Sequence, residues 1–188
     1  MQKVYEYSHL GGSEILRERY PEIDREIDEI ISAVKPPGKT KISEEKPRKG
    51  MALYDPKLLN RLFKEEFRKR GWKELKLFYD IEIEGLEPIK RAYKQVDFSK
   101  GRVLAEVQFG KYAFMLYDLS KFQYFYLEGK ADVGVEIVPC NRLKREMSTG
   151  VSYGEMLISN LKRLRKAFPS VPVKIILIDV ERPEERLL

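Results

Sequence analysis

A single cysteine and a single histidine in 188 residues remove most soft-metal and redox chemistry from consideration. Cys140 has no partner for a disulfide and reads as a passive thiol. Neither a thiolate set nor a pair of imidazoles exists to hold zinc, so any metal here must be bound through oxygen. His9 has no acid or nucleophile motif around it and reads as structural. Amide side chains are few: four glutamines and three asparagines accompany 36 basic and 30 acidic residues, a balance met in heat-adapted proteins. No apolar run approaches the length of about 18 residues that a membrane span needs. The opening MQKVYEYSHLGG lacks the basic, apolar and small-residue regions of a signal peptide, so the cytoplasm is the expected compartment and no membrane partner is expected. The net charge of +6 suits a polyanionic partner without specifying one.

What is present is enough for one core with an ionic surface: 43% hydrophobic and 35% charged residues, over a length that fits one domain spanning 1–188. Ile15, Leu16, Ile23, Ile27, Ile30, Ile31 and Val34 recur at helical spacing, which predicts one long helix from Ser13 to Val34. Lys35-Pro36-Pro37-Gly38 ends it and opens a flexible basic loop over about 35–50. Gly38-Lys39-Thr40 is not a phosphate loop, because Ala33 occupies the first glycine position and a helix rather than a strand precedes it. Asp55 as N-cap and Pro56 at the first helical position start a second helix, with Leu58, Leu59, Leu62, Phe63 and Phe67 as its buried stripe and Gly71 at its end. Trp72 reads as a core residue.

Trp72 to Ile83 and Gln95 to Phe109 read as strands, and Tyr112 to Phe122 as a helix apolar nearly all round. Val133, Val135 and Ile137 alternate as a strand, Tyr153 to Phe168 is helical with Ser152 and Glu155 as a capping box, and Val171 to Val180 is a buried strand. There is no internal repeat. Interleaved strands and helices imply an α/β fold, a mixed β-sheet flanked by helices.

The chemistry concentrates between Gln95 and Phe109. Side chains alternate across a sheet, so Glu106 and Gln108 share one face while Ala105, Val107 and Phe109 face the other. A two-residue turn at Lys100-Gly101 would set Asp97 opposite Leu104 and make it a diagonal neighbour of Glu106, with Cα atoms about 7–8 Å apart. Two such carboxylates repel, and a hard divalent cation such as magnesium relieves the repulsion. The bland alternative is the solvated face of a hairpin, and a one-residue slip of register would put Asp97 on the wrong face.

Asp97, Glu106 nine positions later and Gln108 two beyond it resemble the PD-(D/E)xK nuclease motif, with glutamine where most members carry lysine. The glutamine, together with Tyr7-Ser8-His9-Leu10, Lys73-Glu74, Asp97 to Tyr112, Tyr117-Asp118-Leu119, Asp132 to Ile137 and Glu146 to Tyr153, is similar to the BglII/BstYI-like type II restriction endonucleases, with BstYI the nearer likeness. The resemblance implies a restriction-endonuclease-like sheet, with Mg²⁺ held by Asp97, Glu106 and the backbone carbonyl of Val107, and an attacking water oriented by Gln108. It places Lys111, Ser148 and Thr149 against bases of double-stranded DNA. It also implies a homodimer that cuts a palindrome with a GATC core, RGATCY-like, leaving 5′ overhangs, and it leaves room for a cognate DNA methyltransferase acting on the same site.

The apolar helix after the motif is the economical place for the two-fold contact. A neutral glutamine leaves more of the electrostatic load to the metal. Read alone, Lys111 is a helix-start residue on a solvated edge, and Lys162, Arg163, Arg165 and Lys166 are either the wet side of a helix or phosphate contacts. Glu65 and Glu66 are equally available near the site, and neither is singled out. Two other functions stay open: another nuclease of this core acting in repair or junction resolution, and a non-catalytic DNA-binding protein.

Overall fold

The computed structural model describes residues 1–182. Gln2–His9 forms β1, Gly12–Arg19 forms α1 and Pro21–Ala33 forms α2, so the expected long helix is two. Its periodicity is sound, but a proline ring disfavours the helical conformation of the residue before it, and Tyr20 turns out to φ −136°, ψ 47°. Strand β1 has no counterpart in the sequence reading. It pairs only with the last strand, and its exposed Lys3, Val4 and Tyr5 blur the alternation that would mark it.

Lys41–Ile42 (β2) and Ala52–Leu53 (β3) pair across a 3-10 turn at Lys46–Arg48. Helix α3, Pro56–Lys69, starts as its sequence requires: the Asp55 carboxylate accepts the Lys57 amide at 2.9 Å, and Leu59, Phe63 and Phe67 are buried one turn apart. Asp55→Ala is expected to cost about 1 kcal/mol, the usual loss for an N-cap. A urea midpoint that does not fall would show the cap to be redundant.

Lys73–Ile81 (β4), Ile89–Lys100 (β5) and Val103–Val107 (β6) form a meander; α4 follows at Tyr112–Leu127, then Val133–Pro139 (β7), Asn141–Lys144 (α5), Gly154–Leu164 (α6) and Val173–Asp179 (β8). The main sheet has the order β1-β8-β7-β6-β5-β4. Strands β6, β7 and β8 are parallel and the others antiparallel. It is therefore the mixed sheet expected, and β7 and β8 are buried along their whole length, as central parallel strands are.

Helices cover both faces. On one, Phe122 of α4 lies against Gly134 so closely that any Cβ there would enter the ring, and Gly154 of α6 lies against Val138 and Leu177. On the other, Phe67 of α3 stacks on Phe98 at 4.1 Å, and Asp24 of α2 pairs with the buried Lys174 at 2.7 Å. Trp72 is in the core, edge-on to Phe67, with its indole N–H donating to Glu26 at 2.6 Å. His9 is buried, with Nε2 2.7 Å from the Pro169 carbonyl. No helix among the described residues is long and apolar enough to cross a membrane.

Three local expectations need correction. The β5–β6 turn is Gly101-Arg102, not Lys100-Gly101: Lys100 pairs with Val103, Ser99 with Leu104 and Phe98 with Ala105. Lys100 is held in the ladder because its ammonium binds the Glu26 carboxylate at 2.7 and 2.9 Å and the Arg70 carbonyl at 2.9 Å. Ser152 does not cap α6. Tyr153 takes that place, and Glu155 accepts the Asn141 amide at 2.9 Å instead, satisfying the start of α5. Helix α6 also stops at Leu164, short of Phe168.

Candidate active site

The corrected turn moves the partner of Asp97 by two residues, from Leu104 to Glu106, so the shared face survives. The two acidic residues lie across adjacent antiparallel strands, and the Asp97 amide donates to Glu106 Oε1 at 3.2 Å. They line a cavity of about 420 Å³ together with Val107, Gln108, Asp118 and Lys121, closed on its far side by Asn60, Arg61 and Lys64 of α3. The sequence reading finds Asp97, Glu106, Val107 and Gln108. It misses the contributions of α3, α4 and β7. A signal was available: Asp118 and Lys121 interrupt an apolar helix face, and Glu136 is the one acid in an otherwise apolar strand. Glu65 and Glu66 do not line the cavity; Glu66 pairs instead with Lys69 and Arg70, both at 2.6 Å.

The interior of the site is polar and tightly bonded. Glu106 is 3% exposed and accepts the Lys121 ammonium as well as the Asp97 amide. Lys121 also pairs with Asp118 Oδ1 at 2.8 Å, and Gln108 Nε2 donates to Asp118 Oδ2 at 2.8 Å. Gly110 leaves room for that glutamine, since a Cβ there would stand 2.5 Å from Gln108 Oε1. Glu136 is the strand neighbour of Glu106, fully buried, with neither carboxyl oxygen hydrogen-bonded.

These surroundings dictate the acidities. Burial, reinforced by Asp118 and Asp97, pushes Glu106 up to about 8 against the pull of Lys121. Burial raises Asp118 against the same ammonium and the Gln108 amide. Burial, with Asp118 and Glu106 adding to it, holds Glu136 well above the carboxylate range. Burial alone would lower Lys121, but Glu106 and Asp118 outweigh it and hold the ammonium protonated.

The donor set suits a hard cation. Among the described residues no three acidic, imidazole or thiol side chains converge to cage an ion. A small dication that keeps its waters and takes the rest of its ligands from a phosphate needs only one or two carboxylates. Burial first, and then Asp118 and Asp97, disfavour the ionised form of Glu106, and such an ion would stabilise that form.

The chain runs straight from this cavity into a second, a groove of about 460 Å³ lined by Phe109, Gly110, Lys111, Lys41, Lys57 and Ser148 among others. Lys111 is exposed at the start of α4. Ser148 Oγ accepts the Lys41 ammonium at 2.6 Å, and the exposed Thr149 donates its amide to Glu45 at 3.1 Å. Arg48 donates to the carbonyls of Arg145 at 3.0 Å and Met147 at 2.7 Å. The segment 41–54 thus backs the 145–149 loop, contacts between residues about a hundred positions apart that periodicity cannot reveal.

A family model described as restriction endonuclease BglII/BglIII matches residues 4–178. Among solved structures, the restriction endonuclease BglII complexed with a DNA 16-mer is similar with a TM-score of 0.73 and 23% identity, over 96% of this chain and 79% of that one. Free BglII is similar with a TM-score of 0.68 and 20% identity, over 97% and 82%. At these identities the likeness to the two structures establishes the fold. No curated protein sequence matches the chain.

Proposed function

The chain belongs to the BglII/BglIII restriction endonuclease family, and from that premise we propose that it is a single-domain type II enzyme hydrolysing phosphodiesters of double-stranded DNA with Mg²⁺. The target we assign is a palindrome with a GATC core, RGATCY-like as in the BstYI likeness, cut to leave 5′ overhangs by a homodimer in the cytoplasm. One observation carries this reading: Asp97 and Glu106 meet across two strands in a cavity that also holds Gln108.

In this proposal Asp97, Glu106 and the Val107 carbonyl hold the cation. Bound there, it would polarise the scissile phosphate and acidify a water for in-line attack. Gln108 spends its Nε2 on Asp118, so Oε1 is the atom left to accept a hydrogen bond from that water. Lys111 and Ser148 of the adjoining groove, with the exposed Thr149 next to Ser148, read base edges, the lysine being suited to guanine O6 and N7. A palindrome requires a two-fold protein, and α4 offers Phe114 and Tyr117, 51% and 47% exposed, as the contact.

Unmethylated plasmid incubated with the protein and Mg²⁺ at raised temperature is expected to give fragments whose sequenced ends are identical and span GATC. Protection of the same plasmid by methylation at that site is the behaviour a cognate methyltransferase would exploit. Nicks confined to branched or damaged DNA would replace this reading with a structure-selective nuclease, and binding without cleavage would leave only a DNA-binding protein. A strict monomer in light scattering with DNA present would remove the dimer.

A further inference from the structure

Asp118 and Lys121 hold two of the motif side chains, the buried Glu106 and the half-buried Gln108. They stand three positions apart on α4, less than one helical turn, and so leave the helix on the same side. Lys121 grips Glu106 Oε1 and Asp118 Oδ1; Asp118 Oδ2 takes the Gln108 amide. Glu106 and Gln108 are therefore both tied to one helix, whose distance from the sheet is set by the Phe122 ring against Gly134. Of the cations lining the cavity only Lys121 is buried, at 9% exposure; Arg61 is exposed and Lys64 intermediate. The Tyr117 ring lies 5.6 Å from its ammonium and adds a further favourable contact.

We propose that Asp118 and Lys121 form a clamp that orients Glu106 and Gln108 together, with Lys121 as a positioning residue that supplies the buried positive charge the glutamine does not. The proposal rests on the nuclease reading. Its physical content is electrostatic: Lys121 sets one buried ammonium between the carboxyls of Glu106 and Asp118, with Asp97 on the neighbouring strand. Without the ammonium the carboxylates repel, Glu106 swings from its place opposite Asp97, and a free cation is bound more tightly in a poorer geometry.

This predicts two effects of opposite sign. K121M is expected to lower kcat by about a hundredfold, the scale of a misplaced reacting group, with KM for DNA unchanged. The same variant is expected to bind Mn²⁺ alone about tenfold more tightly in calorimetry, because one competing positive charge is gone. K121R, which keeps the charge, should recover at least about tenfold of the lost rate. A loss of packing alone would not tighten Mn²⁺ binding. Tighter Mn²⁺ binding with undiminished cleavage would make Lys121 a mere occupant of the metal's place and overturn the clamp, as would unchanged values of both. If K121M loses its melting transition, K121Q and K121R are compared instead, and equal rates for those two overturn it. Wild-type protein that cleaves beside a K121M that cleaves equally well sinks the clamp alone; wild-type protein that never cleaves sinks the nuclease reading, and the clamp falls with it.

Discussion

Asp97→Ala is expected to lower DNA cleavage by about a thousandfold or more while leaving DNA affinity largely intact. Loss of one of the two carboxylates proposed to hold the cation would remove on the order of 4 kcal/mol of transition-state stabilisation, and each 1.36 kcal/mol is tenfold in rate. The fold should not suffer. Asp97 is exposed, so its removal strands no buried partner, and its contact to Glu106 runs through the backbone amide, which alanine keeps. DNA affinity should survive because Lys111 and Ser148, proposed for base contact, line the neighbouring groove rather than this cavity. Single-turnover cleavage with Mg²⁺ and band-shift titration without it separate the two effects. Wild-type cleavage by the variant would withdraw Asp97 from the site, and loss of both activities together would mean that it acts on binding rather than chemistry.

The parts of this fold that were legible in the sequence are those set by neighbours along the chain. Asp55-Pro56 announces α3 through an N-cap that needs only Lys57, and the alternation around Glu106 assigns faces without reference to anything distant. Faces tolerate error in the turn as long as parity is kept, which is why Asp97 and Glu106 meet although the turn lies one residue further on. What the sequence hid depends on long-range partners. Lys100 stays in the ladder because of Glu26, 74 positions away, and Glu155 leaves its own helix for Asn141 on another. The inward pair on α4 was hidden for the same reason: Lys121 meets Glu106 only once α4 folds back over the sheet. The break at Pro21 is different, a local signal that the long apolar periodicity on both sides of it outweighed.

Glu136→Met is expected to stabilise the protein by about 1–3 kcal/mol at pH 7.5, the range for relieving a buried polar group that lacks partners. At this chain length that raises Tm by about 2–4 °C for each kcal/mol. The wild-type carboxyl is fully buried, its two oxygens find no hydrogen bond, and its acidity is pushed well above the ordinary value near 4.5 by burial and by Asp118 and Glu106. A carboxyl whose pKa is raised by folding binds more protons in the native state than in the unfolded one. Its contribution is therefore most favourable below about pH 4.5 and declines as pH climbs through the raised native value. Methionine is close in volume and uncharged, so the variant should lose that decline: the gain over wild type grows from acid to neutral pH. Thermal melts at pH 5 and pH 7.5 measure both the size and the slope. An equal difference at the two pH values would show that Glu136 is not protonated in the fold, and a lower Tm would show that it has a partner. If cleavage falls as stability rises, the chain keeps an unpaired acid beside Glu106 at the expense of stability, as proteins do where a strained group serves the site.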